Sequence, residues 1–185
     1  MKIDEAKALI ILATSQSLEE KARVCDHLAI VGSPKAVPAL VGYLPDPQMA
    51  VRARTALQNI PDVAAGDALT KALRQVKGDF LIGVITSLGA RKETDAVPQL
   101  CVLVDGADQA VVMAAISALG QIANGEAIAK LRVVMAKGSE DQRTAAAHAA
   151  LVAAGSLPAE ARKTLLTSVS AAKVPEHIQV TAGRL

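Results

Sequence analysis

The sequence predicts an all-α fold, an α-α superhelix or right-handed solenoid of about six helical hairpins. Three observations lead there. Apolar residues make up 51% of the chain, yet aromatic ones make up 1%, with one Tyr, one Phe and no Trp. Ala, Leu and Val dominate instead; Ala and Leu are the strongest apolar helix formers, whereas sheet sandwiches draw on β-branched and aromatic residues. An apolar pattern then recurs about every 31 residues in two registers, and turn-forming residues punctuate the recurring segments.

The first register runs through "EAKALIILA" (5–13), "AVPALVGYL" (36–44), "AGDALTKAL" (65–73), "AVPQLCVLV" (96–104), "AIAKLRVVM" (127–135) and "ARKTLLTSV" (161–169). Its anchors are Leu9, Leu40, Leu69, Leu100, Leu131 and Leu165, spaced 31, 29, 31, 31 and 34. The second lies between these segments and is anchored on Leu28, Leu57, Leu88, Leu119, Leu151 and Leu185, spaced 29, 31, 31, 32 and 34. Each period is therefore one helical hairpin, helix A then helix B. Ser33-Pro34, Pro61-Asp62, Asn124-Gly125 and Gly155-Ser156 separate hairpins. Pro45-Asp46-Pro47, Lys77-Gly78, Gly106 and Gly138-Ser139 fall within them. Two helices of this length cannot bury an apolar face alone, so the hairpins must stack. The expected organisation is one solenoid domain over 1–185, with repeats near 3–31, 33–60, 62–92, 94–123, 125–155 and 158–185.

Pro38 and Pro98 sit early in helix A of the second and fourth repeats. If those helices start near Ser33 and Thr94, each proline lies about one turn in. The missing N–H costs little there, because the first donors of a helix have no intrahelical partner.

Through the segments "AVPALVGYLPDPQMAVRARTAL" and "AVPQLCVLVDGADQAVVMAAISALGQIA" the chain resembles HEAT repeats. The likeness is to the short bacterial type grouped with phycobilisome-lyase HEAT-like repeats, and to planctomycete and verrucomicrobial HEAT-containing proteins. It implies an armadillo-like solenoid whose B helices line a concave binding side. It also implies a ladder between neighbouring repeats from a turn Asp and a helix-B Arg. Asp46 and Arg52 fit that ladder, with Arg23 a second arginine able to reach Asp46. The other repeats lack the pair.

Chemistry is sparse. His27, His148 and His177 fall in different repeats, and no His/Cys/Asp cluster has metal-ligand spacing. There is no Gly-rich phosphate loop and no paired His-Glu dipeptide. No catalytic, metal or cofactor-binding residue is expected, and the chain reads as a non-enzyme. The resemblance keeps open a bilin lyase-like enzyme subunit or a chaperone. A net charge of +2 with interspersed signs and few aromatics argues against nucleic acid. No run is long and apolar enough for a membrane span, and "ALIILA" follows Asp4 and Glu5, unlike a signal peptide. Cys25 and Cys101 read as reduced, buried thiols of a cytoplasmic protein.

Taking the B anchors as buried, the positions nine, five and two residues earlier point outward. They are Glu19, Arg23, Asp26; Gln48, Arg52, Thr55; Asp79, Gly83, Thr86; Ala110, Ala114, Ser117; and Gln142, Ala146, Ala149. Arg23, Arg52, Thr55, Thr86 and Ser117 are the candidate partner-binding residues on this face. Arg54 and Arg91, with Lys92, form a candidate basic ridge for an acidic partner. The competing reading makes Arg23 and Arg52 ladder residues, and Arg54, Arg91 and Lys92 solvated helix ends. The last segment stops at Leu185 without a cap, which suggests a piece of a longer protein or an end open to self-association. The expected function is a non-catalytic protein-interaction scaffold that binds a partner, which the residues do not name, on the concave B-helix face or at the C-terminal edge.

Overall fold

In the computed structural model, residues 3–185 are described and form twelve α-helices with no strand among them. These are α1 (Glu5–Thr14), α2 (Leu18–Val31), α3 (Val37–Val41), α4 (Ala50–Asn59), α5 (Val63–Ala72) and α6 (Gly78–Arg91). They continue as α7 (Val97–Val104), α8 (Gln109–Ile122), α9 (Gly125–Lys137), α10 (Glu140–Ala154), α11 (Ala159–Ser170) and α12 (Glu176–Arg184). The class is all-α, of the α-α superhelix type.

Short polar side chains start the helices. Asp4, Ser17, Asp62, Asp108, Asn124 and Ser139 each accept a hydrogen bond from a first-turn backbone N–H. Ser139 and Gln142 complete a reciprocal capping box. Pro38 and Pro98 are the second residues of α3 and α7, each behind a single 3₁₀ turn, Pro34–Ala36 and Thr94–Ala96. Both prolines thus occupy the first turn, where no backbone donor is lost. Helix α3 is much shorter than its neighbours, since the chain turns from Gly42 onward toward Pro45 and Pro47.

The chain divides into two compact units, Met1–Arg91 and Lys92–Leu185. In the N-terminal unit α2, α4 and α6 pack side by side as one layer, and α1, α3 and α5 cover it as another. In the C-terminal unit α8, α10 and α12 form one layer, with α7, α9 and α11 against it. The cores are built from the leucine registers: Leu28, Leu40, Leu57, Leu69 and Leu88 in the first unit, and Leu100, Leu119, Leu131 and Leu165 in the second, have no exposed surface.

Three anchors depart from the expected register. Leu9 is half-buried, and Ala8 and Leu12 take the interior. Leu151 is half-buried while Ala150, 31 residues after Leu119, is fully buried. Leu185 is 64% exposed, and Ala182 is buried in its place. The interior stripe of α10 consists of alanines (Ala146, Ala147, Ala150, Ala153 and Ala154), so matching leucine to leucine shifts the register by one. Ala146 and Ala149 are accordingly buried, not outward. Asp141, Ala145 and His148 occupy the positions nine, five and two before Ala150, and Asp141 and His148 are exposed.

The alanines of α10 let it lie very close to α8. A Cβ built on Gly120 of α8 would stand 2.6 Å from the Ala149 carbonyl oxygen and 2.7 Å from its Cβ. Helix α8 then ends on Ala123 in the left-handed conformation at φ 56°, where glycine is the favoured residue.

Two substitutions three residues apart should therefore act in opposite directions. Gly120→Ala must push backbone apart and is expected to cost about 1–3 kcal/mol. Ala123→Gly relieves the left-handed residue, and about 0.5–1 kcal/mol of gain is expected after the added freedom of the unfolded chain. Urea unfolding of both variants checks the signs.

Candidate partner-binding face

In the N-terminal unit the outward side of α2, α4 and α6 carries the predicted columns. Glu19, Arg23, Asp26, Gln48, Arg52, Thr55, Asp79 and Thr86 are exposed, and Gly83 is half-buried. These helices turn Val24, Ala53, Leu81 and Val84 inward, which leaves the outward positions unused by the core.

The polar groups here are held loosely. Arg23 Nη1 lies 3.2 Å from Glu19 Oε1 on its own helix, and Arg52 Nε lies 3.5 Å from Asp26 Oδ2 on α2. Both are exposed pairs of the kind that contributes little to stability. Arg52 thus bridges back to Asp26, whereas the Asp46 carboxylate accepts the Gln48 backbone N–H at 2.8 Å and shapes its own turn. Thr55 and Thr86 donate their hydroxyls to Val51 O and Ile82 O one turn earlier, each at 2.8 Å. Their oxygens keep acceptor capacity toward solvent.

Arg54 and Arg91 are placed differently from these. Arg91, at the end of α6, donates Nη1 to the carbonyls of Leu57, Gln58 and Ile60 at 3.0, 3.0 and 2.6 Å, and Nη2 to Asp62 O at 2.9 Å. It closes the carboxyl end of α4, where backbone acceptors have no helical donor. Arg54 is half-buried and donates Nη1 to Ser87 Oγ at 2.7 Å; that hydroxyl donates in turn to Gln58 Oε1 at 2.8 Å. Burial lowers the Arg54 pKa. Lys92 is exposed, in the left-handed region at φ 55°.

In the C-terminal unit Ser117 is exposed on α8. On α10 and α12 the rings of His148 and His177 lie near each other, tilted by 40° with centroids 6.3 Å apart. Both histidines are exposed, and the leucine-matched register misses that they share this side. The signal was available in the sequence: counting 31 residues from Leu119 lands on Ala150 and turns His148 outward.

The thiols are muted. Burial holds the Cys25 pKa up at about 11, with Asp26 adding to the rise and Arg52 opposing it. Burial likewise raises Cys101, reinforced by Glu126 and Asp105 against Lys130. Among the described residues no group of three or more His, Cys, Asp or Glu is placed to hold a metal ion. No helix there is long and apolar enough to cross a membrane. Open clefts of about 420 and 460 Å³ lie beside Ile11, Arg23 and Val24 in the first unit and beside Leu166, Ala182 and Leu185 in the second.

Paired helical layers of this kind, with their outward columns, define a repeat scaffold of HEAT/armadillo type. Residues 67–152 match the family model of HEAT repeats. That segment of the chain therefore carries HEAT repeats. Its fold is similar to that of a designed armadillo repeat protein in complex with the peptide (KR)4, with a TM-score of 0.56 at 20% identity over 97% of each chain. No curated protein matches the chain in sequence.

Two measurements test these placements. Arg91→Met should destabilise the N-terminal unit by about 1–3 kcal/mol, because it strips buried carbonyls of their donor; thermal melting reads this. Cys25, with a pKa of about 11, should be only about 0.1% thiolate at pH 8 and resist iodoacetamide until urea unfolds the chain. Mass spectrometry of the alkylated protein follows it.

Proposed function

We propose that the protein is a non-catalytic interaction scaffold that binds a segment of a protein partner along the outward face of its B helices. In the N-terminal unit Arg23, Arg52, Thr55 and Thr86 supply the contacts; on the C-terminal unit, taken by itself, Ser117 is the corresponding candidate. The observation that carries this reading is the column of exposed polar side chains on α2, α4 and α6. None of them is needed by the core, and its two arginines are held only by weak surface pairs. Such arginines can leave their partners for a ligand at small cost.

The likeness to a designed armadillo repeat protein that is in complex with a peptide supports a peptide segment as the type of ligand. The two proteins differ too much in sequence for the ligand's chemistry to carry over. Repeat solenoids present extended surfaces suited to such segments.

Selection of random 12-residue peptides on the wild-type protein tests the proposal. Peptides that enrich should bind at least tenfold more weakly to the Arg23→Glu, Arg52→Glu double variant, with an unchanged far-ultraviolet dichroism spectrum. Equal binding by the two proteins would remove this face as the site.

A further inference from the structure

Arg54 is a cation the fold has placed without a counterion. No carboxylate lies within 4 Å of it among the described residues, and its hydrogen-bond partner there is the Ser87 hydroxyl. Its guanidinium is nevertheless fixed. One edge is tied through Nη1 to Ser87 Oγ at 2.7 Å, and Ser87 is fully buried and tied to Gln58.

The other side lies against Gly83 of α6. A Cβ at that position would stand 2.9 Å from Arg54 Nε and 3.2 Å from Cδ, so glycine is what leaves the guanidinium its room. The remaining donors are not sealed from solvent. Arg54 lines a notch of about 60 Å³ together with Leu44, Val51, Asp79, Phe80, Gly83 and Val84.

The size and chemistry select the occupant. A notch this small still has room for a carboxylate group. An arginine stays charged in any such setting, and its planar fork matches the two oxygens of a carboxylate. A charge already stripped of part of its water, and braced on one edge, forms charge-assisted hydrogen bonds with little left to reorganise.

We propose that the Arg54 notch is a carboxylate subsite that receives a glutamate or aspartate side chain of an acidic peptide segment. The inference rests on the B-helix face as the binding surface and adds the chemistry of the ligand: Arg23 and Arg52 bring their own carboxylates, whereas Arg54 must take one from outside.

The test uses the full ¹⁵N-labelled chain at low salt, with acetyl-pentaglutamate amide as probe and acetyl-pentaglutamine amide as control. The Arg54 Nε–H resonance, identified by its loss in Arg54→Lys, should move with pentaglutamate and stay fixed with pentaglutamine. Arg54→Gln should weaken pentaglutamate binding at least fivefold. Arg54→Lys should weaken it too, since the charge remains but the fork is gone. Asp79→Asn should strengthen it by removing the competing carboxylate of the lining. An unmoved Arg54 resonance at saturation, or equal affinity in Arg54→Gln, overturns the subsite. Where Arg54→Gln does not fold, the wild-type resonance and Asp79→Asn decide. Binding lost in Arg23→Glu, Arg52→Glu but kept in Arg54→Gln would overturn the notch and leave the face reading standing. Pentaglutamate that fails to bind wild-type protein also overturns the notch, while the random-peptide selection still judges the face.

Discussion

Every helix here has one apolar stripe, buried against the partner helix of its own hairpin and against neighbouring hairpins. That constraint sets the period. A stripe must return to the same side after two helices and two turns, and near 31 residues suffice. Leu28, Leu57 and Leu88 meet it in one unit, and Leu100 and Leu131 in the other, all with no exposed surface. The burial of a leucine stabilises by roughly 1.5–3 kcal/mol, so a stack of such positions fixes which side of each helix faces in. The opposite side follows by subtraction. Nothing in the core depends on it, and the columns of Arg23, Arg52, Thr55 and Thr86 lie there.

Tight stacking leaves helix ends to be satisfied, and arginine does much of that work. Helix α4 ends on an extended Ile60, not on a left-handed glycine, and Arg91 from α6 covers its last carbonyls. Arg162 donates to Ala154 O and Leu157 O at the end of α10. Arg143 donates to Gly138 O beyond α9 and to Lys173 O beyond α11. A guanidinium with several donors in one plane reaches carbonyls that splay apart at a helix terminus, and its charge suits the negative end of the dipole.

These placements explain what could and could not be read from the residues. The hairpins, the first-turn prolines and the inward residues of α2, α4, α6 and α8 follow from spacing, because stripe periodicity is a local property. The slip at Leu151 and Leu185 arose where alanine replaces leucine at the interior position. Alanine is buried equally well on either reading of a pattern, so the larger residue misleads. Arg91 and Arg54 are not legible at all. Whether an arginine near a helix end is solvated, capping or half-buried depends on how far away the next helix end lies, a distance between residues about 30 apart. The pairing of His148 with His177 was hidden by the same one-residue slip.

The seams between α2, α4 and α6 show the same problem solved twice. Three residues before Leu28 stands Cys25, fully buried, and the arginine beside it is Arg52 on the outward side of α4. Three residues before Leu57 stands Arg54, and the residue beside it on α6 is Gly83. The cation has moved from the outward position of the following helix into the seam itself. The consequence is energetic. Arg52 stays hydrated and shares Asp26 at 3.5 Å, so trading that carboxylate for another changes little. Arg54 has lost part of its water without gaining a carboxylate, and that imbalance lowers its pKa. A carboxylate arriving there gives up its own hydration but meets a partner that has already given up some. Of the two arginines, the one in the seam is therefore the one proposed to discriminate between an acidic ligand and a neutral one.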